Sequence, residues 1–321
     1  MCFEVVLIHF CKDPATTFLI PFYSLKGLAV PTFMFISFYF SAKTFDTQNT
    51  SKTKKRIWRI VYPQIGWAII YWLIYYLIQT KVNLSISFTD LIWQIVTGHS
   101  PKLNPSMWFQ TVLIALTLLF MVVLRFVNKR NGLLIFFILT ICSLYFEYSG
   151  YNNMLFGTLR YELKYPLGRF FEMIPYAVLG YSVAYFNLYN WVRKKRTLSI
   201  ILLGIGIILL FEFTIIPSAP GFGYSNNNNI LLVILVVGFS YILPLDNLSE
   251  NVRKTIKFIT KYTLGIYCMH RLVANALRIV FSTIGLEINN FSQCIIIYIT
   301  AFVISFLMCK LFSSYLKQLV E

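Results

Sequence analysis

Charge is scarce in this chain, and acidic charge scarcest: 12% of its 321 residues are Asp, Glu, Lys or Arg, and 12 residues in all are acidic. Water-soluble domains carry about 25% charged residues, so the composition excludes an ordinary soluble protein. No polar stretch between the apolar runs is long enough to fold as a separate soluble domain. Cysteine is present but unpatterned. Cys2, Cys11, Cys142, Cys268, Cys294 and Cys309 form no CxxC pair and no zinc spacing, and most lie in apolar runs where the thiol acts as a small hydrophobe. That argues against a disulfide framework and against a metal site. A glycine-rich nucleotide loop, a zincin motif and a serine nucleophile elbow are all missing. Nor is there an internal repeat at a fixed period.

What is there is hydrocarbon. Hydrophobic residues make up 58% of the chain, and the mean hydropathy is +0.68. Apolar segments of about 20 residues recur along its length, enough for a helix to cross a bilayer. A membrane barrel would instead show short alternating segments. Spans are expected near 1–10 (in part), 27–42, 60–79, 106–125, 131–148, 171–190, 198–216, 230–245, 262–283 and 293–313. The connections then alternate in basic charge. One set holds Lys43, Lys52, Lys54, Lys55, Arg56 and Arg59, then the basic clusters at 125–130, 193–196 and 253–261, then Lys310 and Lys317. The other set is sparse in charge and richer in Ser, Asn and Pro; its longest members, 80–105, 149–170 and 217–229, are expected as outer loops. The basic set is cytoplasmic by the positive-inside rule. The net charge of +16 then reflects topology and contact with membrane lipids, not nucleic acid. The fold class expected is all-α, a polytopic transmembrane helical bundle of about ten spans with both termini cytoplasmic.

The first span is short. Ten residues precede Cys11-Lys12-Asp13-Pro14, and at about 1.5 Å per residue they cover roughly half of a ~30 Å hydrocarbon core. One membrane domain over 1–321 is expected, with its first span truncated. A cleaved signal peptide does not fit, because neither a basic n-region nor an A-x-A site is present. Two of the three histidines fall in apolar runs: His9 follows Val5-Val6-Leu7-Ile8, and His270 closes Thr263-Leu264-Gly265-Ile266-Tyr267-Cys268-Met269. Ionisable groups in spans cost free energy and default to a functional reading, which favours an enzyme or a transporter over a passive scaffold.

Five segments then stand in a telling order. They are Val30 to Phe40 (VPTFMFISFYF), Lys54-Lys55-Arg56-Ile57-Trp58-Arg59-Ile60 with Pro63 and Trp67, Met107-Trp108-Phe109 ahead of a span, Ile174 to Tyr181 (IPYAVLGY), and Thr263 to His270 (TLGIYCMH). Together they resemble the acyltransferase-3 family of integral-membrane acyltransferases. Each segment is mostly hydrophobic; their order and spacing over nearly the whole chain carry the resemblance. It implies transfer of an acyl group, commonly acetyl, from acyl-CoA as donor substrate. The acceptor it implies is a hydroxyl of a cell-surface glycan or lipid-linked sugar, and the place a bacterial-type inner membrane. Two departures stand out. The family carries an Arg before the first-span His at a distance that, counted back from His9, falls ahead of Met1. Phe38 stands where the family usually has Gly.

Acyl transfer to a hydroxyl needs a base for the proton, donors for the developing oxyanion and a cationic seat for the donor's phosphates. With the resemblance in hand, His9 takes the base role, since an imidazole titrates near neutral pH. The plainer alternative is a histidine that packs helices. His270, followed by Arg271, is the second catalytic candidate, against the alternative of a polar pair that joins helices. His99, beside Ser100 and Pro101 in an outer loop, is set aside as peripheral. Arg56 and Arg59 are three apart at the cytoplasmic start of a helix, so they share a face suited to the phosphates of acyl-CoA. The alternative there is topology and headgroup contact, the role assigned to Lys52, Lys54 and Lys55. Trp108 is either an interfacial anchor or part of the substrate path. Glu4, Glu147, Glu172 and Glu212 are acidic residues in or near spans to which the sequence assigns no partner, and Arg278 is placed to snorkel. The rival to an O-acyltransferase is a non-enzymatic transporter or export subunit for a glycan or lipid-linked sugar, with an inactive scaffold third.

Overall fold

The computed structural model describes residues 29–80, 85–148, 161–195, 248–283, 291–313 and 317–320, with Gly285 and a few positions between 197 and 205. Among them every regular element is a helix. These are α1 (Ala29–Asp46), α2 (Thr50–Ile78), α3 (Phe88–Thr97), a 3-10 turn (Pro105–Met107), α4 (Trp108–Phe126), α5 (Lys129–Tyr148), α6 (Tyr161–Tyr185), α7 (Leu188–Arg193), α8 (Glu250–Lys261), α9 (Thr263–Thr283), α10 (Phe291–Phe312) and α11 (Lys317–Val320). A helix satisfies its own backbone, which is what a chain surrounded by lipid requires.

Among the described residues, four stretches are long and apolar enough to cross a bilayer: Thr50–Ile78, Pro105–Phe126, Lys129–Phe146 and Thr263–Thr283. They coincide with the spans expected at 60–79, 106–125, 131–148 and 262–283. Helices α1 and α6 form where spans are expected at 27–42 and 171–190, yet neither meets that measure. Lys43 and Asp46 dilute α1, and Arg169, Glu172 and two prolines dilute α6. Helix α10 occupies the last expected span. The spans expected at 1–10, 198–216 and 230–245 lie wholly or largely outside the described residues. Large apolar side chains such as Leu118 and Val122 on α4, Phe137 and Ile141 on α5, and Ile279 and Val280 on α9 are exposed. In water such faces would be a liability; in a bilayer, lipid covers them.

Residues 29–58 and the described residues of 108–244 form one compact unit, and residues 59–107 with the described residues after 245 form another. In the first unit α6 is the hub, with α1, α4 and α5 packed on it. The backbones of α1 and α6 approach so closely that a Cβ on Gly180 would stand 2.2 Å from the Phe35 carbonyl oxygen. Aromatic rings fill the interior: Phe120 stacks on Phe136 at 3.9 Å and meets Phe38 at 4.6 Å. Phe38 is fully buried there, so its ring fills space that a glycine would leave open. Asp46 closes one end, accepting from the Tyr181 hydroxyl (2.7 Å) and pairing with Lys129 (3.2 Å).

In the second unit α9 packs on α10 and α11. Helices α2 and α9 run in the same direction, because Tyr71 meets Cys268 and Leu272 while Tyr75, one turn on, meets Asn275. Helix α3 runs back along α2. Trp72 lies against Ser87 and Phe88 at its start, and Gln64 donates to the Ile95 carbonyl near its end (2.6 Å). From Trp72 to Gln64 is about 12 Å at ~1.5 Å per residue. The segment expected as an outer loop at 80–105 therefore contains a helix that descends beside a spanning helix, and the chain turns back at its foot.

Candidate functional site

Helix α3 starts with a capping box, in which the Ser87 and Asp90 side chains each bond the other's backbone, and it ends at Gly98. Gly98 adopts φ 66 and donates its N–H to the Gln94 carbonyl (3.0 Å); a side chain would resist that left-handed conformation. The chain then runs irregularly to the 3-10 turn, and His99, Ser100, Leu103, Asn104, Ser106 and Met107 are all buried. Irregular, polar backbone inside a membrane bundle persists only where protein satisfies it or where it lines a cavity.

Here neighbouring side chains satisfy much of it. Gln94 clamps Asn104 from both sides: its amide donates to the Asn104 carbonyl (2.9 Å), and its oxygen accepts the Asn104 N–H (3.1 Å). Asn104 Oδ1 accepts from the Ser106 N–H (3.0 Å). Thr97 Oγ1 accepts from the His99 N–H (3.1 Å) and donates to the Trp93 carbonyl (2.7 Å). His99 Nδ1 lies 3.0 Å from the Pro105 carbonyl oxygen.

Helix α9 docks onto this loop. It buries every residue from Gly265 to His270, so this part of the helix is enclosed on all sides. The Tyr267 hydroxyl donates to the Ser106 carbonyl, Arg271 Nη1 donates to Ser106 Oγ (3.3 Å), and Asn104 Nδ2 donates to the Cys268 carbonyl (3.4 Å). His270 is 0% exposed, and its Nδ1 lies 2.6 Å from the Tyr267 carbonyl oxygen. A carbonyl only accepts, so Nδ1 carries the hydrogen, and in the neutral ring Nε2 is the basic nitrogen. The same argument assigns His99. His270 stands about 10 Å along α9 from Thr263, at ~1.5 Å per residue. An imidazole fixed at one nitrogen can exchange a proton at the other, and the guanidinium of Arg271, the next residue in the chain, can offer positive charge to a developing oxyanion.

The other expected residues fall elsewhere. His9, Glu4 and Glu212 lie outside the described residues, as does the Glu147 side chain. In the first unit Arg56 gives both terminal nitrogens to Ser37, Nη1 to its carbonyl (3.0 Å) and Nη2 to its hydroxyl (2.9 Å). Its guanidinium also sits over the rings of Phe38 and Phe45. Arg59, three residues on, is exposed, as is Arg278. Trp108 is buried, with the Arg169 guanidinium 5.5 Å from its ring centre and Tyr165 set edge-on. Glu172 has a partner after all in Arg169.

The sequence reading set His99 aside, quoted Tyr267 only within a family segment, and passed over Gln94, Asn104, Ser106 and Tyr71. One signal was available: Gly98-His99-Ser100-Pro101 and Asn104-Pro105-Ser106 pack polar and turn-forming residues into a short stretch directly ahead of a span. Tyr71 gave no signal, since aromatic residues in apolar helices are ordinary.

The model of the acyltransferase-3 family, described as an acyltransferase domain, matches residues 1–310. Searches of curated proteins and of solved structures found no match. The matched stretch takes in the buried loop, α9 and all five segments that carry the resemblance. By that extent of match, the chain belongs to the acyltransferase-3 family.

Proposed function

We propose that this acyltransferase works within the membrane, moving an acyl group, acetyl in the first instance, from acyl-CoA to a hydroxyl of a cell-surface or exported glycan. The bilayer proposed is a bacterial-type inner membrane, crossed about ten times. The observation that supports the reading best is His270, buried in a spanning helix, tied at Nδ1 and flanked by Arg271. On this reading Nε2 takes the hydroxyl proton as the oxygen bonds to the thioester carbonyl carbon. Arg271 balances the negative oxygen that forms. Collapse breaks the C–S bond, and the proton passes to the departing thiolate. His9 is the alternative carrier of that proton. Arg59 is proposed for the donor's phosphates together with Arg56, whose bonds to Ser37 use two of its five N–H donors. Trp108 is proposed to border the acceptor's path.

Mass spectrometry of surface glycan from cells expressing the wild type, His270→Gln or His9→Gln tests this. The glycan should still reach the surface, while its base-labile esters fall about 10²–10⁴-fold in the variant that lacks the base. Loss of the polymer itself would point to an export subunit, and undiminished esters in both variants would overturn the histidine mechanism.

A further inference from the structure

In an α-helix the N–H of Leu272 faces the carbonyl of Cys268, four residues before it. In α9 a third group bonds to both of them. The Tyr71 hydroxyl accepts from the Leu272 N–H (3.0 Å) and donates to the Cys268 carbonyl (2.9 Å), so one side chain from α2 bridges both halves of a single rung. A phenol has one hydrogen to give and lone pairs to receive with, and both kinds of bond are made here. Tyr71 is fully buried, where a hydroxyl without partners would be costly. The Cys268 carbonyl takes a second side-chain donor, Asn104 Nδ2, from the buried loop.

His270 is the residue midway between the two bridged positions. Its ring folds back to the carbonyl of Tyr267, within the same turn. Groups inserted into the helical ladder bend or loosen the turn they enter, and such local departures gather at functional sites. No comparable bridge is formed by the neighbouring tyrosine. Tyr75 also reaches α9 from α2, but its hydroxyl accepts from the Asn275 side chain (2.7 Å) and leaves the backbone alone. Two tyrosines on one helix face thus make polar links of similar length to the same partner helix, and one of them enters the backbone.

We propose that Tyr71 is a positioning residue: built into the 268–272 rung of α9, its hydroxyl sets the turn that aims His270, and through it the reacting proton. This rests on the reading of His270 given above. Catalysis is sensitive to such aim, since a misplacement of about 1 Å can cost about a hundredfold in rate. Binding of the donor does not pass through Tyr71, so the effect belongs in turnover.

The test uses membranes from cells carrying the full chain and their own acceptor, with acetyl-CoA varied and thiol release measured. Tyr71→Phe removes one oxygen atom and little volume. It should lower kcat roughly ten- to a hundredfold, leave KM for acetyl-CoA within about twofold, and shift the pH profile of kcat. Tyr75→Phe should leave kcat and the profile at wild-type values. Hydrogen exchange over residues 268–272 should change in Tyr71→Phe and not in Tyr75→Phe. If His270→Gln is dead while Tyr71→Phe matches Tyr75→Phe in kcat, the positioning role is wrong and the histidine stands. Equal losses in both tyrosine variants, in step with a lower melting midpoint, would also overturn it, because they mean packing alone. Full activity in His270→Gln would remove the reading on which the proposal rests.

Discussion

Asp90 shows how one side chain can tie down the buried loop. Its Oδ2 accepts from the Ser87 N–H (2.8 Å) and hydroxyl (2.7 Å) and pairs with Lys102 at 3.3 Å. Lys102 belongs to the buried loop's exposed edge and also donates to the Ser85 carbonyl (2.8 Å). Partial burial pushes the carboxyl up, but the bonds from Ser87 and the charge of Lys102 outweigh it and hold the group below the ordinary carboxylate value. A folded-state value below the unfolded one means that the contribution is fully present above about pH 4, the unfolded range. It is lost as the pH falls through the folded value. Asp90→Asn should therefore melt at a lower temperature than the wild type at neutral pH in detergent. The gap between the two should close as the solution is acidified below about pH 4. A gap that stays constant with pH would show that Asp90 acts by shape rather than by charge.

At the scale of elements, Gly180 makes a test of how α1 and α6 meet. An added Cβ would come within 2.2 Å of the Phe35 carbonyl oxygen and 3.1 Å of the Tyr39 nitrogen, both backbone atoms that cannot swing away. Gly168 lies on the same helix with nothing within 4 Å of such a Cβ. Gly180→Ala should force the helices apart at a cost of about 1–3 kcal/mol. Gly168→Ala should be neutral or stabilise by up to about 1 kcal/mol through helix propensity. Thermal unfolding of the two variants in detergent decides it, and equal midpoints would refute the close approach. The helices themselves were legible in the sequence, because hydrophobic runs of spanning length leave few alternatives. The pairing of α1 with α6 was not, since Gly180 reads as one more small residue until its neighbour is known. The descent of α3 was hidden for a different reason. A stretch of 80–105 with Ser, Asn and Pro reads as a surface loop, and only the bonds of Trp72 and Gln64 show where its helix lies. The enclosed setting of His270 was legible because it ends an apolar run, whereas the burial of His99 was not, because its loop looks exposed in sequence.

For the molecule as a whole, the direction of the helices makes the orientation in the membrane testable. Helices α2 and α9 run parallel through the Tyr71 and Tyr75 links. Helix α2 begins among Lys52, Lys54, Lys55, Arg56 and Arg59, and α9 follows directly on α8, which carries Arg253, Lys254, Lys257 and Lys261. Parallel helices whose basic flanks come first have those flanks on the same side, as the positive-inside rule requires of a cytoplasmic face. Every residue of α8 is exposed, so its basic side chains can be probed without disturbing a packed core. Ser85, ahead of α3 and also exposed, reports on the opposite side. In a chain whose native cysteines are replaced by serine or alanine, Lys257→Cys should react with an impermeant maleimide only after the membrane is opened. Ser85→Cys should react in intact cells. On the proposed reading, with acyl-CoA as a donor supplied from the cytoplasm, this orientation would let the donor approach from the end of α9 nearer to His270. The reverse labelling pattern would put the basic helix on the outside and, on the proposed reading, leave the donor no direct way to that end of the helix.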